Sequence, residues 1–153
     1  PLVRSKVDVP IIAAGGMIDG GTMAAAFALG AEGIQMWTRM VSALESPVHE
    51  NWKQAIVDAP DTGTVFLNIF HSPSLRALRT ERTVRLEANA EENIMAEFGN
   101  AHALYFGGAM EAAIPLSGQF ARRIESVKPA SAIIHETRDE FFRVLASLHH
   151  QYL

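Results

Sequence analysis

The sequence predicts an α/β fold built around a parallel strand–helix–strand unit near its N-terminus, and three observations predict it. Residues 7–14 (VDVPIIAA) form a short β-branched run that closes on Gly15-Gly16. Residues 22–29 (TMAAAFAL) are Ala-rich and apolar almost throughout, opened by Asp19-Gly20-Gly21 and closed by Gly30. A second short apolar run, residues 33–36 (GIQM), follows at once. Strand, glycine turn, helix and strand fit within roughly 30 residues, the size of a βαβ unit with a right-handed crossover.

The first run is continuous rather than alternating, the pattern of a parallel strand buried on both faces. Asp19 offers a side-chain oxygen as N-cap, and Gly30 stands at the C′ position that favours a left-handed residue. The stretch before the strand (PLVRSK) reads as the end of a helix entering it. Residue 1 is Pro rather than Met, with no apolar leader and cleavage site, so a further N-terminal segment is expected.

Further along, Ser46-Pro47 is an N-cap and N1 pair, and Val48, Trp52, Ile56 and Ala59 recur at helical spacing until Pro60. Residues 65–70 (VFLNIF) predict a strand. Leu86, Ala90, Ile94 and Phe98 predict another helical stripe, residues 100–108 a loop, and Gly107-Gly108 a helical stretch interrupted by Pro115. The last element is a helix from about Ala130, with Ile134, Phe141, Leu145 and Leu148 on one face. No repeat, low-complexity tract or Gly/Ser-rich linker divides the chain.

At 153 residues the chain suits one compact domain or part of a larger one. Its 48% hydrophobic and 20% charged content is that of a folded globular protein. A net charge of −4, with 13 scattered Lys and Arg, leaves no footprint for nucleic acid or a membrane surface. Zero Cys excludes disulfides, thiolate metal sites and cysteine nucleophiles, and fits a reducing, cytoplasmic setting. No apolar stretch approaches the ~18 residues of a membrane helix.

The two strand ends carry the chemistry. Gly15 and Gly16 let backbone amides approach an anion closely, because no Cβ intervenes. The helix opening at Gly20-Gly21 is expected to add its positive end. Met36, Trp37, Thr38 and Arg39 at the second strand end offer amides, a hydroxyl and a guanidinium. Gly15-Gly16 alone reads rather as a tight turn; two adjacent strand ends reverse that and favour a phosphate site, expected to be the sole ligand site. The remaining candidates are weaker. His49, His71, His102, His135, His149 and His150 lack metal-ligand spacing. Glu91-Glu92 and Asp139-Glu140 read as solvated helix charges, and Arg122, Arg123 and Lys128 as a small anion patch or exposed helix charge. Ser46 and Ser117 lack a nucleophile elbow. Trp52 reads as core.

Residues 9–40 (VPIIAAGGMIDGGTMAAAFALGAEGIQMWTRM), followed by ESPVHENWKQAI, closely resemble the nitronate monooxygenase family and, almost as well, the flavin-dependent enoyl-acyl-carrier-protein reductase II group. The dense match covers about the first 60 residues. Residues 74–80 (SLRALRT) look like the family's Arg-containing segment after the eighth strand, and Ser117-Gly118-Gln119 like its late turn.

The resemblance implies the C-terminal part of a TIM (β/α)8 barrel, contributing its last two strands, with a mostly helical substrate or cap domain inserted. Residues 1–45 would be barrel strands and phosphate site, 46–115 the cap, and 116–153 the return to the barrel. It further implies FMN, its phosphate held by Gly15 and Gly16 and approached by Gln35, Met36, Trp37 and Thr38. The family's tetrad there usually reads Gln-Met-Gly-Thr, so Trp37 is a departure that adds bulk and removes a glycine's freedom at positive φ. A complete barrel takes about 250 residues; the family's catalytic His belongs to the other half, so no residue here inherits that role. The implied activity is oxidation of alkyl nitronates with O2. The alternatives are a nicotinamide-dependent enoyl reductase, or a fragment inactive by itself. The expected partners are a small-molecule substrate and either the N-terminal half-barrel or a second copy of the chain.

Overall fold

The computed structural model describes residues 2–153; Pro1, the first residue of the expected barrel segment, lies outside them. Residues 2–6 form a turn, closed by a Lys6 N–H to Val3 O bond of 2.9 Å, rather than the end of a helix.

Strands β1 (Ile12–Ala14) and β2 (Gly33–Gln35) are parallel neighbours, with Ile12 opposite Gly33 and Ala14 opposite Gln35. Helix α1 (Gly20–Ala28) connects them. The expected unit is therefore present, with shorter strands. Pro10 can donate nothing to a ladder, and Gly15 turns the chain away at φ +89°. Burial on both faces is not observed: Ile12 and Ala14 are exposed, because within this chain only α1 and one neighbouring strand cover them.

Asp19 caps α1 as expected, accepting from Thr22 N at 2.8 Å, and Gly30 follows its end at φ +99°. The long final helix packs on α1, with Phe27 and Phe141 edge to face at 5.1 Å. A Cβ on Gly20 would lie 2.3 Å from the Phe141 nitrogen, so the helices meet where only glycine fits.

After the four-residue helix α2 (Thr38–Val41) comes α3 (Glu50–Val57), which starts later than Ser46-Pro47 predicts. His49 is its N-cap: its ring nitrogen accepts from Asn51 N, and its own N–H is fixed on Tyr105 O at 2.7 Å. Val48, Trp52, Ile56 and Ala59 are buried, as their spacing predicts.

Strands β3 (Thr64–Leu67) and β4 (Leu75–Leu78) form an antiparallel hairpin. The predicted strand 65–70 stops early because Asn68 turns at φ +62°, its side chain bonding Pro73 O and Ile94 N. Helix α4 (Glu81–Ala88) then ends at Asn89, and Ile94–Glu97 is a separate 3-10 turn. The predicted single helix through Phe98 is thus two elements. Leu86 and Ile94 still share one core with Val65, Leu67 and Ile114, so their spacing reported a common core rather than a common helix.

The expected loop holds a short helix, α5 (Ala101–Tyr105), anchored by buried Leu104. The helix expected around Pro115 is absent. Instead Pro115 O accepts from Leu78 N, and Ser117 N donates to Arg76 O, so this segment runs beside β4. A 3-10 turn (Gln119–Arg123) leads to α6 (Ala130–Tyr152). Its buried face is Ile133, Thr137 and Phe141, while Ile134, Leu145 and Leu148 are exposed. For Leu145 and Leu148 the reason is length: at 1.5 Å per residue, nine-residue α1 covers only the first part of 23-residue α6.

The main core joins Ile18, Trp52, Ile56, Leu104, Ala121 and Ile124, drawing on early, middle and late parts of the sequence. The middle stretch contains the hairpin as well as helices, without regular βα alternation. Among the described residues no helix is long and apolar enough to cross a membrane.

Candidate functional site

The ends of β1 and β2 open into one cleft of about 360 Å³. Gly15, Gly16, Met17 and Ile18 form one wall, and Gln35, Trp37 and Thr38 a second. Ser74, Leu75 and Arg76 at the start of β4, with Leu116, Ser117, Gly118 and Phe120, complete it. The cleft thus gathers the predicted Gly15, Gly16, Gln35, Trp37 and Thr38. Half-buried Met36 sits between them and is not part of the lining.

Gly15 and Gly16 both hold positive φ, +89° and +72°. The amides of Gly15, Gly16 and Met17 donate to no other described residue, whereas the next amide, Ile18, is spent on Thr22 Oγ1 at 3.1 Å. Three successive donors at a turn are the raw material of an anion cradle. A Cβ on Gly16 would come within 2.8 Å of the Phe120 ring, so that aromatic closes the cradle from the side.

Trp37 has φ −110°, so this position requires no glycine-type conformation, contrary to the expectation drawn from the family tetrad. The residue is 46% exposed, lining the cleft without being swallowed by it. Thr38 Oγ1 accepts the Gly118 N–H at 2.8 Å and so pins the late turn to the end of β2.

Two predicted contributors are engaged elsewhere. Arg39 is 7% exposed; its guanidinium donates to Ser42 Oγ at 2.9 Å and Ser126 O at 3.0 Å, away from the cleft. Burial pushes it below the usual arginine range, and nearby Glu136 acts in the opposite direction. The positive end of α1 is also occupied: Asp19 caps it, and Gly20 N donates to Glu140 Oε2 at 2.9 Å.

The cation that the structure places in the cleft is Arg76, the sole ionisable side chain in the lining. It donates to Thr64 Oγ1 at 3.1 Å and stands 5.3 Å over the Phe66 ring. Its signal in the sequence was the SLRALRT segment, which names the right residues without showing where the hairpin carries them.

The other candidates have structural partners. His71 Nε2 meets Glu91 O at 2.8 Å, and His102 packs on Phe106. Arg122, Arg123 and Lys128 pair separately with Asp61, Asp19 and Glu136, so they form no free anion patch. Among the described residues no group of three or more His, Asp or Glu could hold a metal. The cleft is not the sole concavity: a groove of about 360 Å³ lies beyond Phe120, its wall largely Ile11, Ala13, Ala25, Ala26 and Leu29.

Comparison with known proteins gives a consistent family. The nitronate monooxygenase family model matches residues 1–139. A probable nitronate monooxygenase of Staphylococcus saprophyticus is 35% identical over 81 residues, 53% of this chain and 23% of that protein. One from Staphylococcus aureus is 36% identical over 78 residues, 51% of this chain and 22% of that protein. FabK from Thermotoga maritima superposes with TM-score 0.91 at 37% identity, over 98% of this chain and 50% of FabK. A nitroalkane oxidase from Streptomyces ansochromogenes gives TM-score 0.77 at 25% identity, over 95% of this chain and 43% of that one. The chain thus spans about half the length of the enzymes whose structure it shares. With its glycine-bearing strand end and late Ser117-Gly118-Gln119 turn facing one cleft, the chain belongs to the nitronate monooxygenase family.

Proposed function

We propose that this chain forms the cofactor-phosphate end of an FMN-dependent oxidoreductase that acts on alkyl nitronates. One observation carries the reading: the paired strand ends meet in a cleft with three unspent amides, one cation and no carboxylate. That donor set fits a phosphate ester. Anions are held by backbone N–H groups at glycine turns and repelled by acidic linings.

Gly15 and Gly16 would hold the phosphate through their amides, with Trp37 and Thr38 approaching from β2 and Gln35 beside them. Thr38 uses its oxygen to position Gly118, which fixes the wall opposite the glycines. Met36, half-buried, stands between Gln35 and Trp37 at this strand end. FMN, when bound, supplies the redox chemistry at its isoalloxazine ring, while the protein binds and orients it. The complete protein would be a TIM barrel, residues 46–115 the substrate-side cap, and the compartment the cytoplasm. The remaining barrel strands would come from an N-terminal half or from a second copy of the chain, and the substrate is a small molecule.

A second reading has its own support. The sequence resemblance to the enoyl-acyl-carrier-protein reductase II group, beside the superposition on FabK at TM-score 0.91, supports a reductase using the same phosphate site. Colour is the first test: the purified chain should be yellow, or retain flavin after incubation with FMN and removal of the free flavin. If it is colourless and FMN added in excess fails to bind, the enzymatic reading does not apply to the chain by itself. Anaerobic additions to a longer protein carrying this chain then separate the activities. Bleaching by nitronate alone supports the monooxygenase; fast bleaching by NADH or NADPH supports the reductase.

A further inference from the structure

We propose that Arg76 is the charge-balancing anchor for a phosphate monoester held at the strand-end cleft, a role that rests on the flavin-phosphate reading above. A dianion against largely apolar walls needs a cation, since an unpaired desolvated charge is costly. The other candidates are committed elsewhere. Arg39 is turned to Ser42 and Ser126, Arg123 is held by Asp19, and Arg122 by Asp61. The start of α1 is closed by Asp19 and Glu140. Among the described residues Arg76 alone lines the cleft with a charge.

Its setting suits the task. No carboxylate among the described residues pairs with it. A guanidinium carries five N–H donors, and among the described residues Arg76 spends a donor only on Thr64 Oγ1. The Phe66 ring at 5.3 Å supports one face of the planar group and limits its rotamers, leaving the remaining fork for an outside acceptor. The Arg76 carbonyl accepts the Ser117 N–H at 3.1 Å, so its backbone is tied to the turn that walls the cleft. This arrangement assigns to the hairpin a part in cofactor binding as well as in folding.

The test uses the 153-residue chain, with Arg76→Ala, Arg76→Gln and Arg76→Lys, titrated with FMN, with riboflavin and with inorganic phosphate. Amide NMR spectra report folding of each variant and shifts at Gly15 and Gly16. The expected result is that FMN binds more tightly than riboflavin. Arg76→Ala and Arg76→Gln should lose roughly 10- to 100-fold for FMN, the range of one charge-assisted contact, with riboflavin unchanged. Arg76→Lys should recover part of the loss. An FMN-to-riboflavin ratio unaltered in folded Arg76→Gln overturns the role. If neither flavin binds, the flavin reading fails for this chain, and inorganic phosphate decides the anchor separately. Phosphate-induced shifts at Gly15 and Gly16 that vanish in Arg76→Gln support it; no shifts in the unaltered chain overturn it.

Discussion

Gly118 donates its backbone N–H to Thr38 Oγ1 at 2.8 Å across 80 residues of sequence, joining the late turn to the end of β2. The bond is part-buried, so its loss leaves an amide that water reaches poorly.

Thr38→Val removes that acceptor at nearly constant volume. Leaving the Gly118 amide unpaired should cost about 1–3 kcal/mol, read as a lowered urea midpoint with an unchanged slope. Thr38→Ser keeps the oxygen and should recover most of the loss. Equal stability of the Val variant and the parent would show that the turn is held by Phe120 and Ser117 without this bond.

Gly15 and Gly16 share positive φ but differ in what a side chain would meet. A Cβ on Gly15 finds nothing within 4 Å, whereas on Gly16 it lies 2.8 Å from Phe120 Cε2. Gly15→Ala should therefore cost only the left-handed strain of about 1–2 kcal/mol, and Gly16→Ala should cost more. Adding Phe120→Ala to Gly16→Ala should return part of the excess, and a double-mutant cycle measures it. A cycle that sums to zero means the ring moves aside freely.

Asp19 has two jobs at once: it caps α1 through Thr22 N at 2.8 Å, and it meets Arg123 at 2.5 Å. Asp19→Ala should cost about 1–2 kcal/mol, chiefly the lost cap. Asp19→Asn keeps an oxygen for the cap and loses only a half-exposed ion pair, a change under about 1 kcal/mol. Salt titration of thermal stability checks the split, since only the ion pair is screened. If Asn proves as harmful as Ala, the ion pair outweighs the cap.

Residues with strong local rules were legible in the sequence, and those governed by distant partners were not. Asp19 and Gly30 bracket α1 by cap chemistry that needs no tertiary partner, and β1 and β2 pair as their spacing predicts. Strand β4 was missed because Leu75-Arg76-Ala77-Leu78 is too short for a period, and its identity comes from pairing with β3. Arg39 was assigned to the cleft by proximity in sequence to Thr38. The direction of its side chain is set by Ser126, 87 residues away, which no local pattern reveals. Leu86 and Ile94 show the same limit: helical spacing found their shared core, but Asn89 and Asn93 break the helix between them.

Trp37 stands where the family's tetrad carries glycine, and its geometry decides what reversal would do. Its φ of −110° suits any L-residue, so Trp37→Gly relieves no strain. Gly there instead adds unfolded-state freedom, an expected destabilisation of about 0.5–1 kcal/mol. At 46% exposure the indole borders the cleft mouth with much of its surface in water, and it does not fill the cradle beside Gly15 and Gly16. FMN affinity of Trp37→Gly should therefore stay within about threefold of the parent, a difference of roughly 0.6 kcal/mol or less. Flavin fluorescence titration measures it. A tenfold gain would show that the indole swings inward and obstructs the phosphate. A tenfold loss would instead make Trp37 a stacking surface for the ligand, used because it stands at the cleft's open edge.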